Sequence, residues 1–448
     1  MLPALVFVVG GLLAASLAHL RWHERRRRRM ETWRQAVHEA RLTELSEGFD
    51  FSRMYLHGRV GHLRMQLETY RRARYERGTR ISIRGPAHAL GALSVRREGL
   101  GTTLGKELGT QEIEIGDARF DRECFIEGPP AVILAVLDHS TRRALSGVLG
   151  GYVQAEGSET EVRARLEDGV LSVDIREYPF EEPGARVTSV LPRVLDLARR
   201  LVPPADLADR LAKNLRTEPE PGVRLQIVLV LAREFVGHPA TRLSLAGACH
   251  DPSAEVRLRA ATALGEDGRD TLLALVSQEA ADDSCRARAI AALGVHFARP
   301  TLVAALQQAR AAGRTLTACA CLELLATSLH EDNEGLLVEA LSDSQTAVRL
   351  AAARALARIG TTAAVAPLLE AESAGGELRG AARQAIAEIQ ARLKGAAPGQ
   401  LSLAVAEAGT LALAGDDLGR VSLVEDDVDT VPEPTPSRPA RGPVGSKE

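Results

Sequence analysis

Two carboxylates are the first residues in this sequence that could do chemistry. Asp117 and Asp121 lie four residues apart within IEIGDARFDRECFIEG, residues 113–128. Such a pair can act as a general acid and base or hold a cation. A Gly-Asp step before a phenylalanine is also typical of a capped turn with a buried aromatic residue, and we favour that structural interpretation. We therefore assign no catalytic residue here.

The cysteines and histidines offer little more. The odd number of cysteines includes no CxxC pair and no spacing to histidine that is typical of a zinc site, which favours reduced, buried thiols in an intracellular body. We expect no metal and no cofactor. Glu323 and His330 are the one loosely suitable polar pair for an enzyme site in the helical part of the chain. The cysteines are Cys124, Cys249, Cys285, Cys319 and Cys321.

Arginines recur with a period near 31 residues over residues 203–395. Six two-residue steps align, with successive spacings of 33, 29, 31, 32 and 30. An apolar residue opens each step, and further apolar or small residues stand four and eight positions later, on one face of a helix. A second helix precedes each of these. The steps are Val223-Arg224, Val256-Arg257, Cys285-Arg286, Leu316-Thr317, Val348-Arg349 and Leu378-Arg379.

A helical pair of this length cannot bury its apolar stripe alone, so stacked copies predict an all-α solenoid of about six units. The pattern resembles HEAT repeats, more closely the short bacterial type. The acid that the family carries in its turn is present as Glu218, Asp251 and Asp343 and is missing in the third, fourth and sixth units. We expect the arginines mainly to bridge turn acids or carbonyls between units, and secondarily to contact a partner. These arginines are Arg224, Arg257, Arg286, Arg349 and Arg379.

The elements before the array begin with an apolar segment. Residues 2–20 are uncharged and mainly apolar, and at about 1.5 Å per residue they approach the thickness of a bilayer core. Arg21 and the run Arg25 to Arg29 follow this segment rather than precede it. The order predicts an uncleaved transmembrane anchor over residues 1–20, with the N-terminus outside and the rest cytoplasmic. Only four of the 56 basic residues are lysine, which suggests a GC-rich bacterial genome and therefore a bacterial inner membrane. A cleaved signal peptide is the alternative.

Residues 21–45 read as a basic juxtamembrane helix. The following stretch, residues 46–202, alternates short apolar and polar runs with two helical segments, at residues 129–149 and 186–201, and we predict an α+β domain of unknown function. Asp168-Gly169 marks a hairpin within residues 160–175. The 113–128 string resembles a domain found behind N-terminal membrane anchors in bacterial proteins, and that resemblance implies a membrane-proximal cytosolic domain.

The tail, residues 396–448, carries a ten-residue period beginning at Gly399, Gly409 and Gly419. We predict a disordered tail that carries these repeats. Its alternating apolar residues suit short strands added to the edge of another sheet, and a low-complexity linker with drifted repeats is the alternative to docking. The candidate docking residues are Leu401, Leu403, Leu411, Leu413, Val421 and Leu423.

Composition limits the classes of function. Aromatic residues make up 3% of the chain, which disfavours base-stacking platforms, and the net charge of −3 disfavours a general nucleic-acid binder. Charge is uneven: residues 21–80 carry 16 arginines and eight acids, whereas residues 396–448 carry four basic and nine acidic residues. The basic end suits an anionic membrane surface.

The combination of anchor, α+β domain, repeats and tail resembles membrane-anchored HEAT-repeat proteins of GC-rich bacteria such as myxobacteria. The resemblance implies a membrane-tethered scaffold that binds an unknown protein partner and is not an enzyme. A lyase-like enzyme with short HEAT repeats is the alternative. A helical-repeat protein that reads nucleic acid through its arginines is the less favoured third possibility, and we expect no nucleic acid.

Overall fold

The computed structural model describes residues 2–50, 53–71, 77–85, 93–97, 113–155, 158–178, 181–202, 204–278, 281–328, 330–373, 375–392, 401–403 and 411–413. For residues 2–12, 14, 152, 154–155, 158–159, 331, 401–403 and 411–413 it describes the backbone alone. The chain divides into two bodies, Met1–Ser328 and Leu329–Glu448.

The first body opens with one uninterrupted helix, α1 (Leu2–Glu39). Met30, Trp33, Ala36 and Val37 recur at helical spacing near its end, and all four are buried, Trp33 completely. This face packs against α5 (Ala185–Arg200). For most of the predicted transmembrane segment, the structure describes the backbone but not the side chains. Among the residues that are described, no helix is both long and apolar enough to cross a membrane.

An antiparallel sheet forms the centre of the α+β region. In the described ranges it has nine strands, in the order β1-β2-β3-β4-β9-β8-β5-β6, with β7 also paired to β8. Alternation decides which face is buried: Leu63, Met65 and Leu67 of β3 point into the core, and the residues between them do not. The strands are β1 (Thr43–Phe49), β2 (Met54–Val60), β3 (Leu63–Arg71), β4 (Arg77–Arg84), β5 (Ser94–Arg97), β6 (Cys124–Glu127), β7 (Tyr152–Ala155), β8 (Ser158–Glu167) and β9 (Val170–Arg176).

Several local predictions stand and others are corrected. The predicted hairpin is β8–β9, and both turn residues, Asp168 and Gly169, have positive φ angles, of 50° and 70°. The helix predicted over residues 129–149 is two helices, because the Asp138 carboxylate accepts a hydrogen bond from the Thr141 N–H (2.8 Å) and starts a new one. The three short helices here are α2 (Ala118–Glu123), α3 (Pro130–Val136) and α4 (His139–Leu149).

The juxtamembrane helix also differs from prediction. It was expected to reach residue 45, but α1 ends at Glu39 and β1 begins at Thr43. β1 is an edge strand with mostly exposed side chains, so it has no buried face to produce an alternating pattern.

Helical pairs follow the α+β region in the described chain, as far as Arg392. In the first body they are α6 (Leu207–Thr217) with α7 (Pro221–Glu234), α8 (Pro239–Ala248) with α9 (Ala254–Leu264), α10 (Arg269–Ser277) with α11 (Asp283–Leu293), and α12 (Arg299–Ala311) with α13 (Thr315–Leu325). In the second they are α14 (Glu331–Ala340) with α15 (Thr346–Ile359) and α16 (Val365–Ser373) with α17 (Gly376–Arg392). The predicted α+β region followed by helical repeats is confirmed.

The predicted register holds in five units and is wrong in the fourth. Val223, Val256, Cys285, Val348 and Leu378 are buried, as are the residues four positions after each. Leu316, the residue expected at this position in the fourth unit, is 52% exposed, whereas Thr317, Cys321 and Leu325 are buried. The register there shifts by one residue because α13 offers two apolar stripes of similar strength. Ala318 therefore takes the position that arginine occupies elsewhere.

Candidate functional site

Arg224 shows how the repeat arginines are used. Its guanidinium donates from Nε and Nη2 to the two carboxylate oxygens of Asp251, at 2.7 and 2.9 Å, which is the bidentate geometry that arginine favours. Nη1 donates to the carbonyls of Glu218 and Pro219. The side chain thus joins the turn before its own helix to the turn acid of the next unit.

Arg257 and Arg286 continue the pattern inside the first body. Arg257 Nη1 donates to the Asp251 and Pro252 carbonyls, and its Nη2 reaches Gln278 Oε1 at 2.7 Å. Arg286, which is buried, donates to the carbonyls of Val276, Gln278 and Ala281. These carbonyls lie at or just beyond the end of α10, where the helix leaves its last acceptors unsatisfied and its dipole is negative.

The fourth unit contacts the third through a threonine instead of a ladder arginine. The Asp283 carboxylate accepts from Thr317 Oγ1 at 2.6 Å and from the backbone N–H groups of Leu316 and Thr317. Partial burial opposes ionisation of Asp283, but these hydrogen bonds outweigh it and lower the pKa of the carboxyl. Asp283 therefore caps α13 and joins it to α11.

In the second body, Arg349 Nη1 donates to the Asp343 carbonyl and Nη2 to Thr346 Oγ1, both at 3.0 Å. Arg379 makes a longer contact, from Nε to the Glu372 carbonyl at 3.4 Å. The five arginines predicted as a ladder thus direct guanidinium groups at turn acids, hydroxyls and helix carbonyls of their own bodies.

Arg142 was missed by sequence reasoning. It lies on α4, is 1% exposed, and donates from Nη1 and Nη2 to the Glu218 carboxylate at 3.0 and 2.7 Å. Nε donates to Asp117 Oδ2 at 2.9 Å, and Nη1 also reaches the Leu137 carbonyl. The first turn acid of the repeats is therefore bound by an arginine of the α+β region. No signal in the sequence identifies Arg142 as the partner of Glu218, because the two residues are 76 apart in the chain.

The two carboxylates that suggested catalysis are both engaged. Asp117 caps α2 by accepting from the Phe120 N–H, and Phe120 is buried. Burial opposes ionisation of Asp117, but the Phe120 N–H and Arg142 outweigh it and lower its pKa. Asp121 accepts from the N–H groups of Ile115 and Gly116, yet its burial dominates and raises its pKa. The two side chains hold a turn, as the structural interpretation predicted.

A cavity of about 830 Å³ lies beside this cluster and is lined in part by Asp117, Cys124, His139 and Arg142. Burial raises the pKa of the Cys124 thiol to about 12, and burial raises that of Cys321 to about 12 as well. Both are therefore protonated at neutral pH, and a protonated thiol is a poor nucleophile.

Sequence reasoning also missed a cluster of possible metal ligands. One ligand atom from each of Asp206, Asp209 and His238 lies within 4.8 Å of the others. Asp206 caps α6 and His238 caps α8, and the His238 ring lies 3.2 Å from the Asp206 carboxylate. Helix capping accounts for this arrangement. Of the polar pair noted in the sequence, Glu323 is exposed on α13, and His330 caps α14 by accepting from the Asp332 N–H.

The first two tail copies form short strands that pair with each other. β10 (Leu401–Leu403) and β11 (Leu411–Leu413) are antiparallel, with Ser402 opposite Ala412. The third copy, with Val421 and Leu423, lies outside the described residues, as does most of the rest of the tail. The prediction that the tail is disordered therefore stays a prediction.

Comparison with known proteins bears on the helical region alone. A family model described as HEAT repeats matches residues 208–294 and 302–387. These two segments include all or most of every helix from α6 to α17, and only helix ends such as the first turn of α12 and the last turn of α17 lie outside them. No curated protein matches the chain. The resemblance drawn from the arginine period is thus confirmed, and the C-terminal region of this chain carries HEAT repeats.

Proposed function

We propose that this protein is a membrane-tethered scaffold that binds another protein through its HEAT-repeat helices. The observation that carries the proposal is the repeat itself. In stacked helical pairs the apolar stripes pack against neighbouring helices, and the arginines bind turn acids and backbone carbonyls. The remaining side chains form long exposed rows that can serve as a binding surface. The proposal assigns no catalytic residue, because Asp117 and Asp121 are committed to the turn they hold.

Exposed apolar side chains on the repeats indicate where a partner would bind. Leu243 on α8 is 76% exposed and Leu316 on α13 is 52% exposed. A large apolar side chain that is exposed in the free protein is suited to burial in the core of an interface, so these two are suitable residues to change. The ladder arginines are less suitable, because their replacement would disturb the fold. The same engagement of their donors disfavours a nucleic-acid reader that uses the ladder.

The membrane tether is a proposal based on the sequence. Its support is the apolar stretch of residues 2–20, followed by the arginines from Arg21 to Arg29. Because α1 is uninterrupted and its last turns are buried in the first body, a membrane span at its start would be joined to that body without a flexible linker. We propose that the N-terminus lies outside and the remainder in the cytoplasm of a bacterial cell.

Binding is tested with the full chain as bait in its native cell, using chemical crosslinking and mass spectrometry. The double variant Leu243→Glu and Leu316→Glu should lose a partner that the unmodified chain recovers. Leu45→Glu is the matched control, because Leu45 is 51% exposed but lies on β1. The scaffold proposal fails if the double variant and the control recover the same proteins as the unmodified chain.

Topology is tested separately with reporters fused after Glu448. A fluorescent cytoplasmic reporter should be active in the membrane fraction, and alkaline phosphatase at the same point should be inactive. Phosphatase activity there would contradict the proposed orientation, and recovery of the intact chain in the soluble fraction would contradict the tether.

A further inference from the structure

A large, strongly basic cleft lies between α1 and one end of the sheet. We call it the basic cleft. It has a volume of about 1040 Å³, and eight arginines and four carboxylates line it. Trp22, Arg26 and Arg29 line it from α1, and Arg71 and Arg77 line it from β3 and β4.

The carboxylates of the basic cleft already have partners. Asp174 is bound in bidentate fashion by Arg80, which also lies 3.5 Å from Glu68. Glu177 pairs with Arg29 and accepts from Thr79 Oγ1 at 2.9 Å. The fourth, Glu181, pairs with Arg186, which is outside the lining. The acids therefore neutralise two arginines of the cleft, and the excess of positive charge remains.

Arg71 and Arg77 carry much of that excess. They lie directly opposite each other in the antiparallel ladder of β3 and β4. Neither has an ion pair with any residue in the described ranges. Like charges directly opposite each other destabilise a sheet, and an anion between them would turn that repulsion into attraction.

Arg26 faces the same cleft from α1. Its guanidinium carbon lies 4.9 Å from the centroid of the Trp22 ring and 4.1 Å from that of Phe49, so two aromatic rings hold the charge in place. Its Nε is buried and has no hydrogen-bond acceptor among the described atoms. A guanidinium held in place between two rings is suited to bind a planar or tetrahedral oxyanion.

We propose that the basic cleft binds a phosphate group, held by Arg71 and Arg77 from the sheet and by Arg26 from α1. The cleft has room for more than a bare phosphate, which suits a phosphate ester. Two sources share this chemistry: the headgroup of an anionic phospholipid and a soluble phosphate compound. The proposal does not rest on partner binding by the repeats. If the span at residues 2–20 is in a bilayer, Trp22 and Arg26 are about 3–9 Å along α1 from its end, within reach of headgroups.

The test uses the full chain purified in an uncharged detergent, with its melting temperature followed at constant ionic strength in chloride. The probes are inorganic phosphate, short-chain phosphatidylglycerol and, for comparison, zwitterionic short-chain phosphatidylcholine. A ligand that binds only the folded chain raises the melting temperature with concentration. We expect inorganic phosphate or phosphatidylglycerol to do so and phosphatidylcholine to have a much smaller effect.

Three variants locate the site. The double variant Arg71→Gln with Arg77→Gln should need at least about tenfold more ligand for the same rise in melting temperature, because it removes charge-assisted hydrogen bonds to the phosphate. Arg26→Gln should weaken it from the other wall, and it decides the matter if the first variant does not fold. Arg64→Gln with Arg84→Gln is the matched control: these arginines are also opposite each other on β3 and β4 but do not line the cleft. The control should respond like the unmodified chain.

The outcomes separate the sources and can overturn the proposal. A response to phosphatidylglycerol alone assigns the site to lipid, and an equal response to inorganic phosphate assigns it to a soluble compound. The proposal is overturned if neither probe acts at matched ionic strength, if the cleft variants keep the full response, or if the control loses as much as they do.

Discussion

Arg142 of the α+β region and Glu218 of the first repeat form a buried, bidentate ion pair, with nitrogen to oxygen distances of 2.7 and 3.0 Å. The pair extends the ladder backwards: Arg142 is to Glu218 what Arg224 is to Asp251. A repeat array exposes an unfinished apolar and polar face at its first unit, and the usual solution is a capping element. Here the α+β region supplies the missing arginine.

Replacing Arg142 should therefore destabilise the first body strongly. Arg142→Met leaves the Glu218 carboxylate buried without its counter-charge, which costs about 3–5 kcal/mol, whereas the double variant with Glu218→Leu should recover part of the loss. Urea unfolding followed by circular dichroism measures the free energies. Arg119→Ala is the control, since its pair with Glu123 is exposed and contributes at most about 1 kcal/mol. Equal losses for Arg142→Met and Arg119→Ala would contradict this role for the pair.

Stability in acid should depend on which carboxylate of α2 is changed. The folded state lowers the pKa of Asp117, so its contribution to stability is present above the unfolded pKa, near 3.9, and is lost as the pH falls through the folded value. Asp121 has a raised pKa, so its contribution has the opposite sign: it favours folding at low pH and is lost as the pH rises through the folded value.

Over the interval from pH 7 to pH 2, Asp117→Asn should thus flatten the loss of stability near and below about pH 4, and Asp121→Asn should steepen the loss above it. The measurement is the free energy of unfolding by urea at several pH values in that interval. Both positions lie at the same small helix, so each variant is the other's control. Parallel pH profiles for the two variants would contradict the opposite shifts.

The repeat array was predictable because its signal is repeated. The positions of Val256 and Ala260 recur in other units, and burial of both follows from helical spacing alone. The predicted register of the fourth unit was wrong by one residue, because Leu316 and Thr317 begin two adjacent stripes of α13 that are both apolar enough to pack. The edge strand β1 was missed for the opposite reason: an exposed strand has no buried face to report.

The contacts of single side chains were less predictable. The bidentate pair of Arg142 with Glu218 joins residues 76 apart in the chain, and no local pattern announces it. The basic cleft depends in the same way on α1 lying over the ends of β3 and β4. The sequence predicted a juxtamembrane arginine run, and only the fold brings Arg26 to the same cleft as Arg71 and Arg77.

The helix crossing at Ala260 provides a test of the repeat register. Ala260 is 0% exposed at the middle of α9, so Ala260→Leu should overpack the contact and cost about 1–3 kcal/mol. Arg259 is next to it and exposed, and its i,i+4 pair with Glu255 contributes little, so Arg259→Ala should change stability by about 0.5 kcal/mol or less. Thermal unfolding of the full chain compares them. Equal melting temperatures would show that the register of α9 is wrong.

The tail repeats are tested through their backbone. Because β10 and β11 pair with each other, we expect the first two copies to act as one hairpin that can offer an outer edge to a partner's sheet. Proline cannot donate a hydrogen bond to a strand ladder. If the two copies act as one hairpin, Ser402→Pro alone should therefore weaken partner recovery as much as Ser402→Pro with Ala412→Pro.

A second variant removes the apolar side chains of all three copies. It should abolish partner recovery, since tethered copies gain by effective concentration. The residues changed to serine are Leu401, Leu403, Leu411, Leu413, Val421 and Leu423. Crosslinked partners of the full chain in its native cell are the readout, and Thr435→Pro, in the proline-rich end, is the control. If the serine variant recovers the same proteins as the unmodified chain, the tail is a linker.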